Sequence, residues 1–184
     1  MQETHLSFFM ALTMVPGFGF YPKEEELVGY LYHKNNGSLS PVDEQVPINC
    51  WDLYGKDEPW EIWKNFDGDK LTNQDNLFFF TTLTKVSDGG SNIKRKVGTG
   101  NWHGETSGKS SQLCFDGIRA YKKRFNYRNP SRLDQDRCWN MIEYSLCNGE
   151  SKYVLCELKE SRKEINKRKN QSNDFDDVLV AMNI

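Results

Sequence analysis

Only three histidines (His5, His33 and His103) occur in the 184 residues, and the five cysteines include no CxxC pair. A structural zinc site needs about four such ligands at close spacing, so no metal site is expected. The odd cysteine count also argues against a disulfide framework; Cys50, Cys114, Cys138, Cys147 and Cys156 read as reduced, partly buried thiols. Long apolar runs are lacking too. The longest, Leu6 to Val15, is too short to cross a bilayer, and its flank carries Glu3 rather than Lys or Arg, which argues against a signal peptide. A soluble, intracellular chain with no membrane partner follows. There is no internal repeat and no paired nucleophile–base motif, so neither an enzyme nor a cofactor is expected. Gly104-Glu105-Thr106-Ser107-Gly108-Lys109-Ser110 looks like a phosphate-binding loop. Its glycines, however, are separated by three residues instead of four, and no buried parallel strand precedes it.

What is present is enough for one domain: 37% hydrophobic and 13% aromatic residues can bury a single substantial core. The formal net charge of −2 hides three unlike segments. Residues 92–137 hold eleven Lys/Arg against four carboxylates, a net +7, whereas residues 1–91 carry −8 and residues 138–184 carry −1. A polyanion would be attracted to one face only, and the attraction would fall steeply with salt. At the centre of that segment lies a glycine-rich ribbon, Lys94-Arg95-Lys96-Val97-Gly98-Thr99-Gly100-Asn101-Trp102-His103-Gly104, continuing to Lys109. Its glycines permit positive φ and close approach to another polymer, its cations supply charge, and Trp102 can anchor it to a scaffold. The bland alternative is a solvated hairpin with a basic face. A second group of cations, Arg119, Lys122, Lys123, Arg124 and Arg128, falls on one predicted strand and suits phosphate contact, against a merely solvated strand face. Trp51, Trp60, Trp63, Trp102 and Trp139 read as core and scaffold anchors rather than base-stacking platforms.

Helices come early and strands later. Pro22 suits a first helical turn; Glu24, Glu25 and Glu26 match the positive end of a helix dipole; and Leu27, Tyr30 and Leu31 keep helical spacing until Gly37. A strand end at Asp52-Leu53-Tyr54 precedes a short aromatic helix begun by Pro59. Strands are expected at Leu77–Thr82, Gln112–Phe115, Arg119–Phe125, Trp139–Ser145 and Lys152–Leu158, with turns at Asp88-Gly89-Gly90 and Asn148-Gly149. That order is α+β.

Blocks spread over about residues 14–160 resemble the NAC-domain transcription factors of plants. Pro16 to Leu27 is similar to the family's PPGFRFHPTDEEL opening, and Asp52-Leu53-Tyr54 with Glu58-Pro59-Trp60 to its DLY and EPW block. Phe78-Phe79-Phe80-Thr81 resembles its YFFS strand, and Arg95 through Gly108 its R-x-x-G-x-G-Y-W-K-A-T-G segment. Trp139-Asn140-Met141-Ile142-Glu143-Tyr144-Ser145-Leu146 matches W-I-M-H-E-Y-R-L, and Tyr153 to Leu158 the W-V-L-C-R-I/V ending. The resemblance implies a twisted antiparallel β-sheet flanked by a few helices, a homodimer or a heterodimer with NAC proteins, and sequence-specific binding of double-stranded DNA in the major groove. It places DNA contact at Lys94, Arg95, Lys96, Asn101, Trp102, His103, Lys109, Arg119, Lys122, Lys123, Arg124 and Arg128. It places dimer contact at Pro16, Gly17, Phe18, Gly19, Phe20, Glu24, Glu25 and Glu26. Several positions depart from the family pattern. Gly19 replaces an arginine that the family uses across its dimer, Lys23 replaces a helix-capping threonine, Asn101 replaces a tyrosine and His103 a lysine, and extra residues lie between Gly104 and Gly108. A second reading is therefore an interaction module that dimerises with NAC proteins yet reads DNA weakly.

The chain thus divides into an N-terminal extension (1–13), a NAC-like domain (14–160) and a tail (161–184). In the tail, Arg162-Lys163 and Lys167-Arg168-Lys169 suit nuclear import or extra phosphate contact, against a merely solvated helix face, and Asp174 to Val180 is acidic and apolar like an activation segment. The overall expectation is a nuclear, non-enzymatic regulator of transcription.

Overall fold

The computed structural model describes residues 20–41, 43–71, 76–87, 92–105, 111–147 and 151–161. Helix α1 (Glu24–Asn36) begins just after Lys23, which stays extended and donates its N–H to Glu26 Oε2 at 2.6 Å. Three glutamates in the first turn face the positive end of the helix dipole, offsetting the wrongly placed charge of Lys23. Gly37, at φ 64°, ends the helix, and the Ser38 N–H returns to the His33 carbonyl at 2.9 Å. Helix α2 (Pro59–Asn65) starts on Pro59, whose missing N–H costs nothing in a first turn.

Eight strands form one sheet: β1 (Ile48–Cys50), β2 (Leu77–Thr82), β3 (Lys96–Val97), β4 (Gly100–Gly104), β5 (Ser111–Phe115), β6 (Ile118–Arg128), β7 (Trp139–Leu146) and β8 (Tyr153–Glu160). Their order is β1-β2-β8-β7-β6-β4-β3, with β5 also beside β6. The five strands expected from sequence are β2, β5, β6, β7 and β8. Antiparallel pairing holds among the described strands except between β1 and β2, which run parallel because α2 lies in the crossover that joins them. The strand end expected at Asp52-Leu53-Tyr54 falls earlier. After Trp51 bonds through its N–H to the Phe80 carbonyl (3.2 Å), Asp52 Oδ1 accepts the Tyr54 N–H at 2.9 Å and turns the chain. The turn residues 88–90 and 148–149 lie outside the described residues; on either side of them Lys85 bridges to Ile93 and Tyr144 pairs with Leu155.

Both β4 and β5 lie antiparallel along the same edge of β6. Gly104 opposes Phe125, and Ser111 opposes Lys122. The two registers differ by four residues, the excess of chain between Gly104 and Ser111 over what one continuous strand would need.

The sheet buries both faces, which is why Leu77-Phe78-Phe79-Phe80 is apolar without alternation. On one side, here the α1 face, Leu27, Val28 and Leu31 pack on Phe78, Phe80, Tyr144 and Leu155. The opposite, α2 face sets Ile62, Trp63 and Leu53 over Phe79, Trp102, Tyr127, Trp139 and Met141. No disulfide joins the five cysteines.

Candidate nucleic-acid interface

The ribbon β3–β4 is fastened to the α2 face at several points. Trp102 is 2% exposed, donates its indole N–H to the Leu53 carbonyl at 2.9 Å and packs edge-on to Tyr127. Gly98 sits at φ 51°, and a Cβ there would run into the Glu58 carboxyl; a Cβ on Gly100 would lie 2.6 Å from the Tyr127 ring. The close approach that these two glycines permit is therefore to the chain's own core. Glu58 is the hub: it accepts the Thr99 N–H (2.8 Å), the Thr99 hydroxyl (2.6 Å) and the Tyr127 hydroxyl (2.8 Å). Asn129 completes the network by donating to Thr99 Oγ1 at 2.7 Å and to Tyr127 Oη at 2.8 Å. Burial, opposed by the Asn129 hydrogen bond and reinforced by Glu58, pushes the Tyr127 phenol up to about 12.

Arg95 is drawn inward as well. Its guanidinium lies 5.0 Å from the Tyr54 ring centroid and 4.6 Å from that of Phe125. It grips Glu143 with both terminal nitrogens, Nη2 reaching Oε1 at 3.1 Å, and donates to Tyr54 Oη at 2.7 Å, while the Tyr54 hydroxyl also bonds Glu143. Burial pulls against the Arg95 charge, yet the Glu143 hydrogen bond outweighs it and the guanidinium is held more firmly protonated. Burial likewise pushes the Tyr54 phenol and the Cys156 thiol well up. Sequence reasoning gave Glu143 no role. The available signal was its phase: Trp139, Met141 and Glu143 share one side of β7, so a carboxylate stood in the apolar, inward register.

The remaining cations divide by strand alternation. On β6, Arg119 and Lys123 point to the α2 face, whereas Lys122, Arg124 and Arg128 point to the α1 face. Arg119, Lys123 and Arg124 are exposed; half-buried Lys122 pairs with Glu24 at the start of α1, and Arg128 Nε reaches Asp136 Oδ1 at 3.1 Å. Lys94, Lys96, Asn101 and His103 are exposed, with Asn101 and His103 on the opposite side of β4 from Trp102. His103, Arg124 and Arg128 come together around a groove of about 600 Å³ on the α1 face. Lys109, Pro16 to Gly19 and the basic and acidic segments of the tail lie outside the described residues. Of the other dimer candidates, Phe20 packs edge-on to Phe78 at 5.2 Å, Glu25 lies 3.6 Å from Lys23, and Glu24 and Glu26 make the intrachain bonds already given.

Among the described residues no group of three His, Cys, Asp or Glu could hold a metal ion, and no helix is long and apolar enough to cross a membrane. Fold and site together define an α+β module edged by a cation-flanked β-ribbon. The chain belongs to the No apical meristem (NAM) protein family, the NAC family, whose model matches residues 14–146, a family of plant transcription factors and not of enzymes. It is 32% identical over 178 residues to NAC domain-containing protein 71 of Arabidopsis thaliana, a match covering 85% of this chain and 64% of that protein. NAC domain-containing protein 30 from the same plant is 36% identical over 146 residues (77% of this chain, 42% of the relative), and Protein SOMBRERO 32% over 155 residues (80% and 40%). The chain thus spans less than two thirds of the length of these relatives.

Proposed function

We propose that the protein binds duplex DNA sequence-specifically in the nucleus and regulates transcription, alone as a dimer or paired with another NAC protein. The ribbon from Asn101 to Lys109 enters the major groove, where each base pair presents its own pattern of donors and acceptors. Exposed cations on Lys94, Lys96, Arg119, Lys123 and Arg124 meet phosphates, and residues 14–160 form the DNA-binding unit. The observation that carries the reading is the split within β4: Trp102 is bolted into the core while Asn101 and His103 face outward on an edge ribbon. Arg95 supports this ribbon from within instead of facing solvent. Selection from random duplexes with the purified protein, repeated at two salt concentrations, tests it. An enriched sequence whose binding weakens steeply with salt is the expected result, and recovery of random sequence would overturn specific readout.

Gly19 and His103, standing where the family has an arginine and a lysine, favour a second reading, a dimerising module with weak DNA contact. Partner capture at full strength alongside DNA binding that shows no sequence preference would establish it.

A further inference from the structure

On the α1 face of the sheet, helix α1 covers the end of β6–β8 that includes Ala120, Tyr144 and Leu155, and beyond it lies the groove of about 600 Å³. Three predicted residues, His103, Arg124 and Arg128, line it, and so do four that the sequence did not single out: Asn126, Arg137, Asn140 and Lys159. The strand registers explain the gathering, since His103 opposes Asn126, Asn126 opposes Asn140, and Asn140 opposes Lys159, a polar row running straight across four strands from the ribbon to β8. Arg124, Arg137 and Lys159 are exposed. Glu105 is the one carboxylate among the lining residues. Charged and amide donors around an open trough suit phosphodiester oxygens, which accept hydrogen bonds and carry diffuse negative charge.

The direction of DNA entry decides which phosphates these are. A sheet with its side chains is about 10 Å thick, and the major groove of B-form DNA is about 12 Å wide. A ribbon inserted edge-on therefore has one DNA strand over each face of the sheet. We infer that the groove between β4 and β8 holds the backbone of one strand of the bound duplex, with Arg137 and Lys159 as phosphate contacts and Asn126 and Asn140 as neutral donors. This rests on the DNA-binding reading above and extends it to residues up to three strands from the ribbon.

The test compares the double variant Arg137→Gln/Lys159→Gln with wild type and with Arg132→Gln, an exposed cation outside the groove that bonds Asp134. Binding to the selected duplex is measured across a salt series. The double variant should lose affinity for all sequences alike and lower the salt slope by about two, one per lost phosphate contact, with Arg132→Gln unchanged. The charge-preserving pair Arg137→Lys/Lys159→Arg should restore the slope, which separates lost contact from lost folding. Duplexes carrying neutral methylphosphonate linkages on one strand only should bind wild type more weakly for that strand alone, and the penalty should vanish in the double variant. A double variant that binds with the wild-type slope, or equal penalties on both strands, overturns the groove assignment while leaving DNA binding intact. Wild type showing no salt-dependent binding overturns both.

Discussion

Arg95 and Glu143, 48 residues apart, meet inside the α2 face as a two-pronged ion pair, with Glu143 only 1% exposed and Arg95 19%. The pair fixes the start of the ribbon, because the Arg95 carbonyl also accepts the Trp102 N–H at 2.8 Å. Removing one partner leaves an uncompensated buried charge. Arg95→Ala or Glu143→Ala should each cost about 3–5 kcal/mol in a denaturant melt, whereas the apolar double Arg95→Met/Glu143→Met should recover most of the loss. If the double is as unstable as the singles, the pair is not the source of the cost.

Gly98 and Gly37 both sit at positive φ, but only Gly98 faces a side chain at close range. Gly37→Ala should cost about 1–2 kcal/mol from left-handed strain alone. Gly98→Ala should cost that plus about 1 kcal/mol for each Glu58 hydrogen bond it dislodges. Paired thermal melts decide it; equal costs would mean that Glu58 moves aside freely.

Adjacent lysines on β6 should differ in DNA binding. Lys122 is committed to Glu24, while Lys123 is exposed on the other face. Neutralising Lys123 and Arg124 together should lower the salt slope by about two, and Lys122→Gln by less than one. A slope unmoved by the first pair would remove β6 from the phosphate interface.

Half-buried Glu157 accepts a hydrogen bond from Asn76 Nδ2 at 2.7 Å, and burial raises its pKa despite the nearby charges of Lys159, Lys122 and Arg124. A carboxyl whose folded pKa lies above its unfolded one binds more protons when native, so stability falls as pH rises from the ordinary carboxylate range through the folded value. Glu157→Gln should remove that fall, making the variant more stable than wild type at neutral pH and no more stable in acid. Melts at three pH values would show it, and a constant difference between the proteins would exclude linkage at this site.

The elements that punctuation residues control were legible in the sequence. Pro59 opens α2, Gly37 closes α1, and the β-prone run of Leu77–Thr82 is β2 residue for residue. Local patterning could not show which residues the sheet order brings together. Arg95 and Lys94 are equally basic in sequence, yet only the arginine meets Tyr54, Phe125 and Glu143, which lie on β6, β7 and a loop before α2. Lys122, Lys123 and Arg124 read as one basic block because composition carries no sidedness, whereas strand alternation sends them to opposite faces. The groove was illegible for the same reason, since Arg137 and Lys159 come from separate segments and share a groove with His103 only because strand register and the Arg137 N–H bond to the Tyr127 carbonyl bring them to one face.

The four-residue offset between β4 and β5 bears on how this edge can change over generations. Side chains alternate with period two, so an even offset keeps residues 102, 104, 112 and 114 on one face of the sheet, and Trp102 stays inward whatever lies between. Each strand takes its phase from its own pairing with β6, so a change in the length of that stretch alters the offset and leaves Leu113 and Phe115 on the α1 side; only a one-residue slip of β5 against β6 would turn it over and expose them in place of Gln112 and Cys114. The edge is thus a slot of adjustable length, open to insertion and deletion without renegotiating the core.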